Sequence, residues 1–151
     1  MARRVRTNED RGASLARFRS RATPFAVTRP QLPESKLSEP VLRKMGAFHA
    51  DVIARVTDAI ANHAVVVVGM AQNPHVKRAR TTLEAANIPF EYVEYGSYFS
   101  QWQKRLAIKL WSGWPTFPQV YVDGVLIGGA DETAKALEDG SLRRMLESRA
   151  A

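Results

Sequence analysis

The stretch Trp114-Pro115-Thr116-Phe117-Pro118-Gln119-Val120-Tyr121-Val122-Asp123-Gly124 sets two prolines immediately ahead of an alternating, β-rich run. Proline fixes its own φ and has no N–H to give a sheet, so the chain must turn between Pro115 and Pro118 and only then enter a strand. Asp-Gly is a two-residue hairpin turn of the primed type, so that strand closes at Asp123-Gly124 and a second, Val125 to Ile127, returns beside it. X-Pro is the one peptide bond at which cis is energetically accessible, which makes Phe117-Pro118 the candidate position. In that geometry the Thr116 and Phe117 backbone groups face outward, where an extended peptide can pair with them. The plainer reading is that the prolines only stiffen a turn.

Upstream, Ala64 to Val68 is a short, uniformly apolar, β-branched run that suits a central parallel strand covered on both faces. Asn73-Pro74 then opens a helix: asparagine is among the best N-cap residues and proline fits the first turn. That helix runs to Ala86 with Val76, Ala79, Leu83 and Ala86 inward, and Asn87-Ile88-Pro89 stops it. Phe90 to Tyr95 follows as a second strand with a turn at Gly96-Ser97. Phe99, Trp102, Leu106 and Leu110 recur at helical spacing and predict an amphipathic helix to Ser112-Gly113, with Gln101, Gln103, Lys104, Arg105 and Lys109 on its polar face. Gly128-Gly129 lets the backbone approach a ligand, and Asp131 is expected to cap a helix to about Asp139, whose free N–H groups make an anion site. Ser141 to Glu147 reads as a last short helix, with Leu142, Met145 and Leu146 on the sheet and 148–151 fraying. At the other end, Val41, Met45, Phe48, Val52, Val56 and Ile60 predict one long helix from Ser38, or two joined near Gly46, packing their stripe on the sheet. This order of elements gives an α/β fold, a four-stranded mixed sheet flanked by helices on both faces.

Composition removes whole classes of chemistry. None of the 151 residues is a cysteine, so disulfides, thiol chemistry and iron–sulfur ligation are closed to the chain alone. His49, His63 and His75 stand at no ligand spacing, so no metal site is expected. His75 has no carboxylate or nucleophile at a readable spacing, so it reads as a surface residue. The net charge of +7 is uneven: Met1 to Pro30 carries eight Arg against Glu9 and Asp10, while the other 121 residues hold 14 basic and 13 acidic side chains. Nucleic-acid binding is therefore a question for the first thirty residues alone. Residues 1–35, with Pro24, Pro30 and Pro33, read as a disordered basic tail. An organelle transit peptide, a polyanion-binding arm and an unused upstream start all fit it. No apolar run is long enough to span a bilayer, and the cytoplasm is the default location.

Two motifs carry a resemblance. Trp114 to Gly124, with Gly128-Gly129-Ala130-Asp131 after it, resembles the cis-proline segment and Gly-Gly-x-Asp turn of glutaredoxins, the monothiol branch especially. Asp51 to Met70 is similar to the helix and first strand that open such domains, and Arg105 to Trp114 to their Arg-x-x-x-Lys helix leading into Trp-Pro. Asn73-Pro74-His75-Val76-Lys77-Arg78-Ala79-Arg80 aligns without a gap to the active-site segment Cys-Pro-Tyr-Cys-Lys-Arg-Ala-Arg of dithiol members. In that register Asn73 stands for the nucleophilic cysteine and Val76 for the resolving one. A cysteine there is reactive because a helix N-terminus lowers its pKa; Asn73 keeps the position and loses the chemistry. The resemblance covers roughly residues 51–150 and implies a thioredoxin-like fold. It divides the chain into the tail 1–35, a helical extension 36–50 and a glutaredoxin-like domain 51–151.

The resemblance also implies a ligand site. Arg105 would grip a glutathione carboxylate through two parallel hydrogen bonds. Ala130 and Asp131 would hold the γ-glutamyl end, with Thr116, Phe117, Pro118 and Gly129 lining the same place. The lysine usual in the loop before the cysteine is Met70 here, a loss worth on the order of 1.5 to 3 kcal/mol, or about tenfold to a hundredfold in affinity. The resulting expectation is a redox-inactive protein that binds glutathione weakly, or an extended peptide, and bridges no iron–sulfur cluster through its own residues. One alternative is an interaction module using the helical extension and the aromatics near Tyr98 and Trp111. Another is a glutathione-dependent oxidoreductase that borrows a partner's sulfur.

Overall fold

A computed structural model describes residues 29–150, so most of the basic tail, and the disorder expected of it, lies outside the described residues. Residues 29–33 carry no regular secondary structure, and Glu34–Ala151 form one compact unit. The unit opens with a 3-10 turn at Glu34–Lys36, after which come α1 (Glu39–Ala47) and α2 (Ala50–Asn62), then β1 (Val65–Gly69), α3 (Pro74–Ala85), β2 (Glu91–Glu94) and α4 (Trp102–Ser112). It closes with the hairpin β3 (Gln119–Val122) and β4 (Val125–Gly128), then α5 (Ala130–Glu138) and α6 (Ser141–Ala150). The sheet order is β2-β1-β3-β4, with β1 parallel to β2 and the other pairs antiparallel.

The run of four valines in β1 explains the layering. Side chains alternate across a strand, so a strand that is apolar at every position has to be covered on both sides. Val66 and Val68 join Val52 and Val56 of α2, Ile108 of α4, Phe117 and Tyr121 in one cluster. Val65 and Val67 join Ala79 and Leu83 of α3, Ile88, Val120, Val122 and Leu142 of α6 in the other. The hairpin turns at Asp123 (φ 49°) and Gly124 (φ 78°), both left-handed as a primed turn requires.

Three expectations need correction. The N-terminal stripe divides, as the second of its two readings had it, between two helices that part at Phe48 and His49 (φ 46°), just beyond Gly46, and only one of them packs on the sheet. Val52 and Val56 of α2 are buried, whereas α1 buries no residue and leaves Val41 and Met45 exposed. The last helix does not stop at Glu147: it continues to Ala150, and Arg149 Nη1 donates to Asp123 Oδ1 at 3.2 Å, tying its final turn to the hairpin.

The third correction concerns α4, which is rotated relative to the periodicity. Phe99 is 95% exposed, Trp102 59% and Leu110 66%, while Arg105, Ala107 and Ile108 are buried. The anchor is Arg105. Its Nη1 donates to the carbonyls of Tyr95 (2.9 Å) and Ser100 (2.6 Å), in the loop that leads into the helix. Turning the larger side chains inward would pull Ile108 and Arg105 out of those contacts. Ile108→Ala is therefore expected to cost about 2–5 kcal/mol in urea unfolding, the range for truncating a core aliphatic. Met45→Ala, on the exposed face of α1, should stay within about 0.5 kcal/mol.

Candidate functional site

Three segments meet at the carboxyl end of β1, and the first is the start of α3. β1 ends in glycine because Val76 packs onto it: a Cβ on Gly69 would lie 2.6 Å from Val76 Cγ1. The chain turns through Gln72 (φ 62°) and Asn73 opens the helix. Asn73 Oδ1 accepts the N–H groups of His75 (2.9 Å) and Val76 (3.2 Å), so two of the helix's orphan donors are satisfied.

The second segment is the loop from Gly113 (φ 77°) to Pro118, in which the Phe117–Pro118 bond is cis. Thr116 is exposed; the Phe117 side chain is buried in the core, with Lys109 Nζ 5.6 Å from its ring centre. Gln119, wholly buried, holds this loop to the sheet. Its Nε2 donates to the Trp114 carbonyl (3.1 Å), and its Oε1 accepts the Tyr121 hydroxyl (3.0 Å). The Trp114 Nε1–H is buried and finds no hydrogen-bond partner among the described residues.

The third is the start of α5. Gly128 adopts φ 121°, and a Cβ on it would lie 2.7 Å from the Glu132 side chain. That side chain reaches back so that its Oε2 accepts the Gly129 N–H at 2.9 Å. Gly129 sits against the proline loop: a Cβ there would be 3.5 Å from the Pro118 carbonyl oxygen and 3.9 Å from Trp114 Nε1. Asp131 does not cap the helix as expected, because Gly129 takes that position and Asp131 falls within the first turn. Its Oδ1 instead meets Arg78 Nη2 of α3 at 2.8 Å, an ion pair in which the side chains are 78% and 51% exposed. The same nitrogen lies 3.4 Å from His75 Nδ1. The second turn of α3 and the first turn of α5 are thus joined directly, with the proline loop against the start of α5.

Arg105 is corrected too. It is buried rather than on a polar face, and desolvation holds its pKa below the ordinary arginine range. Its Nη1 is committed to two backbone carbonyls, so the residue supports the loop before α4. Met70 is buried and supplies no cation. On the β2 side of Asn73 lies a cleft of about 460 Å³ that Met70, Gln72, Lys77, Arg80, Tyr92 and Glu94 help to line. The Arg80 guanidinium stacks 3.9 Å from the centre of the Tyr92 ring, whose hydroxyl donates to Glu94 at 2.9 Å. Burial first, then the Glu94 carboxylate, pushes the Tyr92 hydroxyl up to about 12. Among the described residues no group of His, Asp or Glu is placed to hold a metal ion, and no helix is long and apolar enough to cross a membrane.

The glutaredoxin family profile matches residues 65–127. A glutaredoxin-like protein of Dictyostelium discoideum is 50% identical over 108 residues, which span 72% of this chain and 88% of that one. This chain belongs to the glutaredoxin family. Glutaredoxin 1 of Rickettsia typhi is 31% identical over 86 residues, 57% of this chain and 82% of its own. The crystal structure of oxidized glutaredoxin 2 from Chlamydomonas reinhardtii superposes with a TM-score of 0.58 at 25% identity, covering 68% of this chain and 96% of that one. The four-stranded mixed sheet read from the order of elements, and the thioredoxin-like fold that the resemblance implied, are the ones observed.

Within this glutaredoxin fold, Asn73, Thr116, Pro118, Gly129, Ala130 and Asp131 belong to the three meeting segments; Phe117 has its side chain in the core, and Arg105, in the first turn of α4, stands apart and holds the loop before that helix. Two residues were missed. Arg78 looked like one more cation in a basic helix face, and nothing local distinguishes it. Gln119 left a trace, a lone amide in an otherwise apolar strand. The Asn73 cap gives the sharpest test here: Asn73→Ala is expected to lower stability by about 1 kcal/mol in urea unfolding, since two N–H groups lose their acceptor.

Proposed function

We propose that this glutaredoxin is redox-inactive and uses the surface where the starts of α3 and α5 meet the Thr116–Pro118 loop to bind glutathione or an extended peptide without reacting with it. The observation that carries the reading is the junction of the two N-terminal turns through Arg78 and Asp131, beside the Thr116–Pro118 loop. Two helix N-termini at one place favour a carboxylate, and the exposed loop supplies backbone for an extended segment. The Asp131 carboxylate suits a ligand amine, which would have to displace Arg78. The absence of cysteine from the whole chain removes the nucleophile that thiol transfer needs. Binding is expected to be weak. Met70 replaces a cation, Arg105 is engaged elsewhere, and Asn73 occupies two of the N–H groups that would otherwise face an anion.

Titration of the labelled protein with reduced glutathione, followed by backbone amide NMR, tests the reading. Shifts should be confined to Thr116, Phe117, Gly129, Ala130 and Asp131, and their absence at millimolar ligand would sink it. The same helix start should activate a thiol put back at its cap. Asn73→Cys is expected to titrate below the free-cysteine value of about 8.5, and to exchange with oxidised glutathione, forming a mixed disulfide and releasing one glutathione thiolate, detectable by mass.

A further inference from the structure

The outward face of α4 has no covering within the described residues. Trp102, Leu106 and Leu110 stand at four-residue steps along it, and Phe99, nearly fully exposed, lies in the loop just before the helix. Between Trp102 and Leu110 the arc holds no charged side chain, and Gln103 and Lys109 stand at its two edges. Phe99 and Trp102 by themselves present roughly 300 Å² of apolar surface, by the usual size of aromatic side chains. With the two leucines the stripe reaches the size of the largest patch that monomers expose, about 300–600 Å², and most of the roughly 800 Å² that each side of a stable interface contributes.

We propose that this stripe is a self-association surface, on which α4 of one copy packs antiparallel against α4 of a second copy across a two-fold axis at Leu106. The spacing favours a second copy over another partner. Trp102 and Leu110 lie four residues to either side of Leu106, so a two-fold rotation there sets each Trp102 against the other copy's Leu110 and Leu106 against itself, as an isologous contact requires. Side chains at four-residue steps form the ridges that interdigitate in the commonest class of helix packing. Lys109, at the edge of the arc, comes to the Trp102 end of the other copy, where an ammonium is attracted to the indole face. Residues 31–151 hold 14 basic and 13 acidic side chains, so little net repulsion separates two folded units.

Sedimentation velocity on the full chain over a wide concentration range is the test. The wild-type protein is expected to approach the mass of a dimer. Leu106→Glu and Leu106→Lys should each remain monomeric with unchanged circular dichroism, their dissociation constants raised on the order of a hundredfold or more because like charges would be buried face to face. An equal mixture of the two variants should recover the dimer, since glutamate then meets lysine on the axis. If either variant misfolds, Leu110→Glu, on a well-exposed position, reads the same loss. A wild-type protein that is monomeric throughout would overturn the proposal. So would a dimer that survives these substitutions, or monomeric variants whose mixture stays monomeric.

Discussion

The contact between Val76 and Gly69 is the constraint on which the rest of this structure turns. It requires the central strand to end in glycine and the next helix to begin close above it, because any Cβ at Gly69 would enter the valine side chain. With α3 held so close, its first turn lies at the carboxyl end of a parallel strand, where open α/β sheets form their binding crevices. The hairpin pairs with β1 in a register that sets Val68 opposite Gln119, so the proline loop arrives beside that turn. α5 then starts from the far end of the hairpin and returns to meet both. Each later element inherits its place from that first close approach.

What the site does with its helix ends follows from the cap. In a reactive glutaredoxin the N–H groups of the first turn stabilise a thiolate. Here the Asn73 amide oxygen takes the N–H groups of His75 and Val76. A neutral acceptor satisfies the backbone as a thiolate would but carries no charge and no nucleophile, so the helix gains stability and the site loses reactivity. The start of α5 is treated in the same way, by the Glu132 carboxylate on the Gly129 N–H. Both helix ends are already partly satisfied before a ligand arrives, and the Asp131 carboxylate already has Arg78. The binding proposed at such a site is an exchange of partners, which is why its free energy should be small.

Helix α4 illustrates a different balance. A guanidinium costs far more to bury than an indole, yet Arg105 is inside and Trp102 outside. Two backbone carbonyls compensate the arginine, and the long apolar stem of the side chain packs while its head finds those acceptors. The same rotation leaves an uncharged aromatic and leucine stripe facing outward. An arginine anchoring a loop and a hydrophobic surface open to a second copy are thus two results of one helix orientation.

The amino-acid sequence by itself determined the elements and the fold class. The four valines demanded a doubly covered strand, Asn73-Pro74 demanded a helix start, the two prolines and Asp-Gly demanded a turn and a hairpin, and all of these act through the backbone within a few residues. The absence of cysteine likewise excluded, without any coordinates, thiol chemistry by the chain alone. The rotation of α4, the exposure of α1 and the pairing of Arg78 with Asp131 were decided only by the tertiary structure. Periodicity reports which side chains share a face but not which face wins, and that choice depends on carbonyls and packing partners far away in the chain. Arg78 and Asp131 are 53 positions apart, and no local preference links them. Only the meeting of two helix ends over one strand does so.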